Sequence, residues 1–397
     1  MREAEEAAAA PGSAMLAEDA LVPSWRSFVV AGAVLAVIQI GFYLTAAALP
    51  LYLRDHGAPE ARIGFDVGLG SLSGVALVLL AGPAINRYGP VLFLRLAAAV
   101  YLIASLGMLL VPQEVSITAF RALQGSGMAV AIPSTYTLGA QLLPRRPATA
   151  LGMLGALNSL ALAAGPPIGL QLYVGRSAVW LFLPAAATAA LGLGATVILP
   201  RHEPSPEPAS GLGFDLSWLP SILGNMLFAA NFGGILAYLP LYLRQLHGPN
   251  AGIFFTADAL GVLLLRVPTG MLADRYGSFL PKLIGLVVTL PGLAALFLRP
   301  SVATLVVAGA GTGVGAGLFI TGVLGDLSRR STEANRGTAM SLGSGSFSGA
   351  IFAGGIVSGL LIGPYGWNAI VWLGVMTCLA SLPFVVWGQR SAPTPPS

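Results

Sequence analysis

Four charged residues, Asp66, Arg121, Asp258 and Arg266, lie inside long apolar runs, where a charge finds no water. Residue types at such places do a narrow range of chemistry. A carboxyl group held away from water and exposed in turn to either side can carry a proton. A guanidinium can hold an anionic group or pair with a carboxylate. At the rise of an α-helix, Asp258 stands roughly 24 Å from Asp274, and Arg266 roughly 12 Å from it, so both lie at depth. Asp66 stands roughly 30 Å from Asn86, near an interface. Arg266 is about 12 Å below Asp258 and about 80° around the helix from it, too far for direct pairing, although both could face one cavity. Asp258 is the first candidate proton carrier and Asp66 the second. For each, a carboxylate hydrogen-bonded near the rim is the plainer alternative. Uncharged polar residues in the same runs, Gln39, Tyr43, Gln124, Asn158, Asn225 and Asn231, are candidate interhelical hydrogen bonds.

The groups that most other chemistries need are missing. No Gly-x-x-x-x-Gly-Lys-Ser/Thr loop is present, so ATP is not the direct energy source. No Asp-rich pair, His-x-x-x-His or Gly-x-Ser-x-Gly stands within a run, which argues against an intramembrane enzyme. The single Cys378 and the scattered His56, His202 and His247 exclude a disulfide framework and a zinc-type cluster, and no cofactor or metal is expected. The basic residues are spread too thinly for nucleic acid.

The elements that must position these groups are membrane helices. The chain has 397 residues, of which 9% are charged and 55% hydrophobic, with mean hydropathy +0.80. That is too little charge for a water-facing shell and too much apolar material for disorder. A helix needs about 20 apolar residues to cross the hydrocarbon. Twelve runs qualify: 28–53, 64–85, 91–112, 115–143, 148–173, 177–199, 218–243, 252–273, 279–298, 301–327, 335–363 and 367–388. They are too long and too continuously apolar for barrel strands. The expected fold is therefore an all-α integral membrane protein with twelve transmembrane helices in two six-helix bundles. The bundles are 27–199 and 218–389, joined by a Pro-, Ser- and Glu-bearing cytoplasmic linker, 200–217. Residues 1–26, acidic and Ala-rich without the basic start of a secretory signal, read as an N-terminal cytoplasmic tail, and 390–397 as a second tail.

Orientation follows from the basic residues. Arg2, Arg26, Arg87, Arg95, Arg145, Arg146, Arg201, Arg275, Lys282, Arg329, Arg330, Arg336 and Arg390 fall on one side, against Arg54, Arg62, Arg176, Arg244 and Arg299 on the other. The first side is cytoplasmic, which puts both termini inside a multi-pass protein of the cell membrane. Trp25, Trp218, Trp367 and Trp387 fall at run ends, as interfacial anchors would.

The two halves resemble each other. Leu49-Pro50-Leu51-Tyr52-Leu53-Arg54 recurs as Leu239-Pro240-Leu241-Tyr242-Leu243-Arg244, and Gly82-x-x-x-Asn86-Arg87-Tyr88-Gly89 matches Gly270-x-x-x-Asp274-Arg275-Tyr276-Gly277. Two similar bundles inserted the same way up can rock about a central cavity, with the substrate near the midplane.

These residues carry a resemblance to the major facilitator superfamily over nearly the full length, with a drug:proton antiporter-like character. Gly270, Asp274, Arg275 and Gly277 resemble that family's motif A; the first copy has Asn86 for the aspartate. Arg121-x-x-Gln124-Gly125-x-Gly127 resembles motif B. Gly152 and Gly165-Pro166-x-x-Gly169 resemble part of motif C, with Ala161 and Leu170 where two further glycines are expected. Asp326-Leu327 with Arg336-Gly337-x-Ala339 resembles the loop between spans ten and eleven. The resemblance implies secondary transport by alternating access, with spans one, four, seven and ten around the cavity, which makes Gln39, Tyr43, Gln124, Asn158, Asn225 and Asn231 candidate substrate contacts together with Arg266. It also implies a conformational latch at Gly82, Asn86, Arg87, Gly89, Gly270, Asp274, Arg275 and Gly277 that holds the inner side closed. Loss of charge at Asn86 would make the first latch the weaker. Tight turns made by glycine are the alternative for these loops, and helix packing is the alternative for motif C and for the row Ser341, Gly345, Gly349, Gly355, Gly359, Gly363. Motif C is associated with antiporters, and in the family the motif B arginine aids proton transfer; a structural role for Arg121 stays open. The resulting expectation is proton-coupled efflux of a small molecule by a monomer in the bilayer. The alternative is uptake or exchange of an anionic metabolite, with Arg121 and Arg266 as anion ligands.

Overall fold

A computed structural model describes residues 25–143, 147–173, 177–199, 215–331 and 336–390. They form twelve α-helices and no strand: α1 Trp25–Asp55, α2 Glu60–Tyr88, α3 Pro90–Leu110, α4 Glu114–Leu142, α5 Pro147–Tyr173, α6 Ala178–Ala195, α7 Leu219–Gln245, α8 Gly252–Tyr276, α9 Phe279–Ala295, α10 Val302–Arg330, α11 Arg336–Tyr365 and α12 Trp367–Arg390. Nine stretches of described residues are long and apolar enough to cross a membrane, and α9 is a shorter apolar helix. Several helices overrun their apolar run by a few polar residues, because backbone hydrogen bonding continues after the hydrocarbon-compatible side chains end. The expected linker 200–217 and both tails lie almost wholly outside the described residues; Asp215 caps the short turn Leu216–Trp218 through the Ser217 amide at 2.8 Å.

Gly89 and Gly277 stop α2 and α8. Their φ values are 91° and 79°, a region open to glycine and strained for other residues. Pro90, which needs no N–H donor at a first helical position, then starts α3 at once.

The pairings among the first six helices recur among the last six. Helix α1 packs on α5 and α6, α2 on α4, and α3 on α4 and α6; correspondingly α7 packs on α11 and α12, α8 on α10, and α9 on α10 and α12. The halves meet through α2 with α11, α5 with α8, and α1 with α7.

In hydrocarbon, close helix contact comes from small residues rather than from water exclusion. Helix α10 uses this on two sides. Gly309, Gly313 and Gly317, one turn apart, lie against Phe254, Asp258 and Val262 of α8, while Gly311 and Gly315 lie against Gly292 and Gly285 of α9. In α11, Gly355 and Gly359 face α2, whereas added side chains at Gly349 and Gly363 would meet open space. The exterior carries bare apolar side chains such as Leu110, Val115, Leu191, Leu264, Met271 and Leu360, a surface suited to lipid.

Two polar staples, one within each half, stand toward the end of the molecule that bears Gly89 and Gly277. Buried Asp326 accepts from Lys282 at 3.0 Å, Arg330 at 3.0 Å and Ser221 at 2.5 Å, joining α7, α9 and α10. Arg95 of α3 donates to the carbonyls of Thr196 (3.0 Å) and Leu199 (3.2 Å) after α6. Of the four tryptophans at run ends, Trp25 and Trp387 are exposed. Trp218 and Trp367 are buried instead, their indole N–H groups donating to the carbonyls of Arg330 and Leu296.

Candidate functional site

Arg266 of α8 leaves its own half of the chain. Its guanidinium lies over Gly155 of α5, where an added Cβ would come within 2.5 Å of it, and reaches the Tyr136 hydroxyl of α4. Tyr43 of α1 lies within the electrostatic reach of that charge. The Tyr43 hydroxyl donates to Asn158 Oδ1 at 3.5 Å, and the Gln39 amide donates to the same oxygen. Gln39, Tyr43, Tyr136, Asn158 and Arg266 therefore form one polar cluster near mid-helix, with its cation supplied from across the interface. Among the described residues no carboxylate pairs with Arg266.

Asp258 belongs to a different environment. It is 4% exposed, and Oδ1 accepts from Thr312 of α10 at 2.8 Å. The α10 glycines let that helix close over it, so Asp258 and Arg266 leave α8 in different directions and do not meet. Among the described residues no cation pairs with Asp258.

Asp66 and Arg121 form a third group, between α2 and α4. Asp66 is fully buried and accepts from Thr118 at 2.7 Å, with Arg62 Nε at 3.5 Å. A crevice of about 430 Å³, lined by Arg62, Phe65, Asp66, Val115, Thr118 and Ala119, lies beside it. Arg121, 1% exposed, donates to Gln124 Oε1, crosses the bare face of Gly70 and stands 4.7 Å above the Phe42 ring. Its charge has the Phe42 face and the Gln124 amide as partners.

Asn225 and Asn231 make helix contacts. Asn225 donates to Gly343 O at 3.0 Å and Ser346 Oγ at 2.9 Å, tying α7 to α11, and Asn231 donates to Phe228 O on its own helix.

The halves are fastened at the end that bears Asp55. Arg244 of α7 holds the Asp55 carboxylate of α1 through two bonds of 2.9 and 2.6 Å, and Tyr173 donates to it at 2.8 Å. Tyr238 donates to Glu60 O, its hydroxyl wedged between Gly64 of α2 and Gly359 of α11. Gly64 and Gly252 stand at matching places, each 18 residues before its loop glycine, Gly82 or Gly270. Gly64 abuts Gly355 of α11, and Gly252 abuts Pro167 of α5. Pro167 has no N–H for Ala163 O one turn back, and Thr256 of α8 donates to that freed carbonyl at 3.0 Å.

Gly165 and Gly169 pack on the α1 backbone at Tyr43 and Leu44, beside Pro166. The backbones of Gly82, Asn86, Arg87, Gly152, Asp274 and Arg275 are helical, but their side chains and surroundings lie outside the described set.

Tyr136, Tyr238, Thr256, Thr312 and Asp55 were not among the residues singled out by sequence. Two of them carried a signal: Asp55 and Tyr238 are where the repeat fails, since Gln245 and Ala48 stand at the matching positions.

A family model described as Major Facilitator Superfamily matches residues 31–249 and 221–397. An uncharacterized MFS-type transporter of Salmonella typhimurium is 27% identical over 268 residues, 65% of this chain and 67% of its own. One of Burkholderia mallei is 26% identical over 347 residues, 87% of this chain and 79% of its own. The crystal structure of a mutant of the nucleoside transporter NupG superposes with a TM-score of 0.75 at 14% identity, covering 92% of this chain and all of that one. A POT family transporter in complex with 5-aminolevulinic acid gives 0.76 at 16% identity, covering 93% and 97%. At such identities these two structures share the fold alone.

Proposed function

The chain belongs to the Major Facilitator Superfamily, and from that premise we propose that it is a proton-coupled secondary transporter that moves a small molecule across the cell membrane by alternating access. In this reading all twelve helices cross the bilayer as two pseudo-symmetric bundles of six, with both termini in the cytoplasm. The Asp55 end then faces outward, and the pocket around Arg266 opens to the cytoplasm. One observation carries the reading: among the described residues the cross-half fastenings, from Asp55–Arg244 to Thr256–Ala163, gather at one end, while Gly270 and Gly349 face open space. A molecule so fastened becomes an alternating-access device if those contacts part and the other end closes.

Asp258 is the proposed proton carrier, with Thr312 holding its carboxyl group; Asp66 and Arg121 form a second, peripheral relay. The motif A loops, with Asp274 as the charged copy, are the proposed latch of the opposite state, and the change from Asn86 to Asp should favour that state. Efflux in the manner of a drug:proton antiporter is the leading direction, on the partial motif C. Uptake or exchange of an anionic metabolite is the second reading, favoured by Arg266, which has no carboxylate partner among the described residues.

The test is flux into and out of proteoliposomes under an imposed pH gradient, across a compound panel. Accumulation that follows the gradient and collapses with an uncoupler supports the proposal. Flux indifferent to the gradient removes protons from the mechanism.

A further inference from the structure

We infer that the pocket around Arg266 binds the single carboxylate of a small organic monoanion, a proposal that rests on the transport reading and names its substrate class. Three observations converge. Arg266 is a guanidinium near mid-helix, part-buried, with no carboxylate paired to it among the described residues. A guanidinium partly withdrawn from water favours an anion beside it, and its planar fork fits a carboxylate with two parallel hydrogen bonds. The surroundings supply further hydrogen-bonding groups for a bound molecule: the hydroxyls of Tyr43 and Tyr136 and the amides of Gln39 and Asn158. The bare face of Gly155 leaves the space in which the guanidinium lies, and any side chain there would displace it.

The charge count sets the class. Arg121 lies far along α4 from Tyr136, roughly 22 Å at helical rise, and is buried against α2 and Phe42. Arg121 comes within 4.7 Å of Phe42, the chain neighbour of Tyr43, but its guanidinium is taken up by that ring and by Gln124, so Arg266 is the cation beside Tyr136 and Gly155, which matches a monocarboxylate better than a phosphate dianion. The position also matters to the cycle. Arg266 belongs to the second half of the chain and its neighbours to the first, so an anion bound between them is held by both halves at once. It would be gripped when they close and released when they part.

The experiment uses the purified full-length protein, with ligand binding read as thermal stabilisation and by equilibrium dialysis at neutral pH. The probes are benzoate, 4-hydroxybenzoate, phenyl phosphate, benzamide and benzylamine, which keep one ring and vary the charged group. The expected result is binding of the carboxylates ahead of the other three, weakened at least about tenfold in Arg266→Gln and partly kept in Arg266→Lys. Preference for phenyl phosphate overturns the monocarboxylate assignment. Preference for benzamide or benzylamine, carboxylate binding that survives Arg266→Gln, or no carboxylate binding to the wild-type protein overturns the site. Folding of each variant is checked by its own unliganded melting temperature.

A separate reporter keeps the transport reading distinguishable. Gly349→Cys, in open space, is labelled with a membrane-impermeant maleimide from each side of proteoliposomes, while buried Cys378 stays unlabelled. Labelling mainly from one side in wild type and in Arg266→Gln alike, and mainly from the other side in Gly64→Ala, leaves alternating access standing even if the anion site fails. Labelling from the same side in all three counts against alternating access itself.

Discussion

Arg244 at the end of α7 grips Asp55 at the end of α1 through both carboxylate oxygens, whereas Arg54, its counterpart in the repeat, pairs within its own half with Glu60 at 2.8 Å. Two positions make the difference: Glu60 has no acidic counterpart among residues 245–256, and the residue after the shared arginine also differs. The sequence after the shared Leu-Pro-Leu-Tyr-Leu-Arg is Asp in the first copy and Gln in the second. One cross-half bridge forms where symmetry would have made two or none.

Breaking that bridge should loosen the Asp55 end. The side chains are 41% and 35% exposed, so the pair contributes no more than about 1 kcal/mol and weakens in salt. Arg244→Gln should lower one-sided labelling of a Gly349→Cys reporter by up to about fivefold. The swap Asp55→Arg with Arg244→Asp should restore it. Labelling unchanged in the single variant would show that the bridge does not bias the equilibrium.

Gly64→Ala should act more strongly. An added methyl would overlap Gly355 O and the Tyr238 hydroxyl, all contacts between the halves rather than within one. The variant should fold and keep its melting temperature within a few degrees, yet be unable to close at the Asp55 end. Flux should be lost and the accessible side of the reporter should reverse.

Thr256 and Pro167 should be energetically coupled. Thr256→Val leaves the Ala163 carbonyl without a partner, at a cost of about 1 kcal/mol. With Pro167→Ala the backbone supplies its own N–H to that carbonyl, and the loss of Thr256 should then cost little. Melting temperatures of the two single variants and the double variant close the cycle; strict additivity would argue that the hydroxyl does not serve this carbonyl.

Asp258→Asn should preserve the fold, since Thr312 keeps an oxygen to donate to, while abolishing accumulation driven by a pH gradient. Exchange of substrate across the membrane without a gradient should continue. Gradient-driven accumulation at the wild-type rate would remove Asp258 from coupling.

Asp326→Asn tests the staple among α7, α9 and α10. Lys282 and Arg330 are nearly buried beside Asp326, and removal of one carboxylate leaves two cations without their anion. The cost should be about 3–5 kcal/mol, seen as a sharply lower melting temperature or as failure to accumulate in the membrane. Lys282→Met alone should cost less, because Asp326 keeps Arg330.

The depth charges show how far sequence reasoning reached. Helical rise put Asp258 and Arg266 at depth on one helix, about 80° apart, and left open whether they share a cavity. The residues on the neighbouring helices decide it. Gly309 and Gly313 let α10 close on Asp258, and Gly155 lets Arg266 cross to the other half. Nothing in the sequence marks Tyr136 or Thr312, since an isolated tyrosine or threonine in an apolar run carries no spacing signal. The α10 glycines pass for composition until two of its sides are seen packed at once.

The sequence by itself determined the class, the helices and the repeat, because these depend on properties that are local or summed along the chain: apolar length, charge scarcity, and glycine at turns where φ is positive. It also named the charged residues that needed explaining. Only the tertiary structure decided which of them meet. That Arg266 lies beside Gly155 and Tyr136 and Asp258 against a glycine-lined helix depends on partners more than fifty residues away. In a bilayer those partners are brought close by small residues whose absent side chains leave the space.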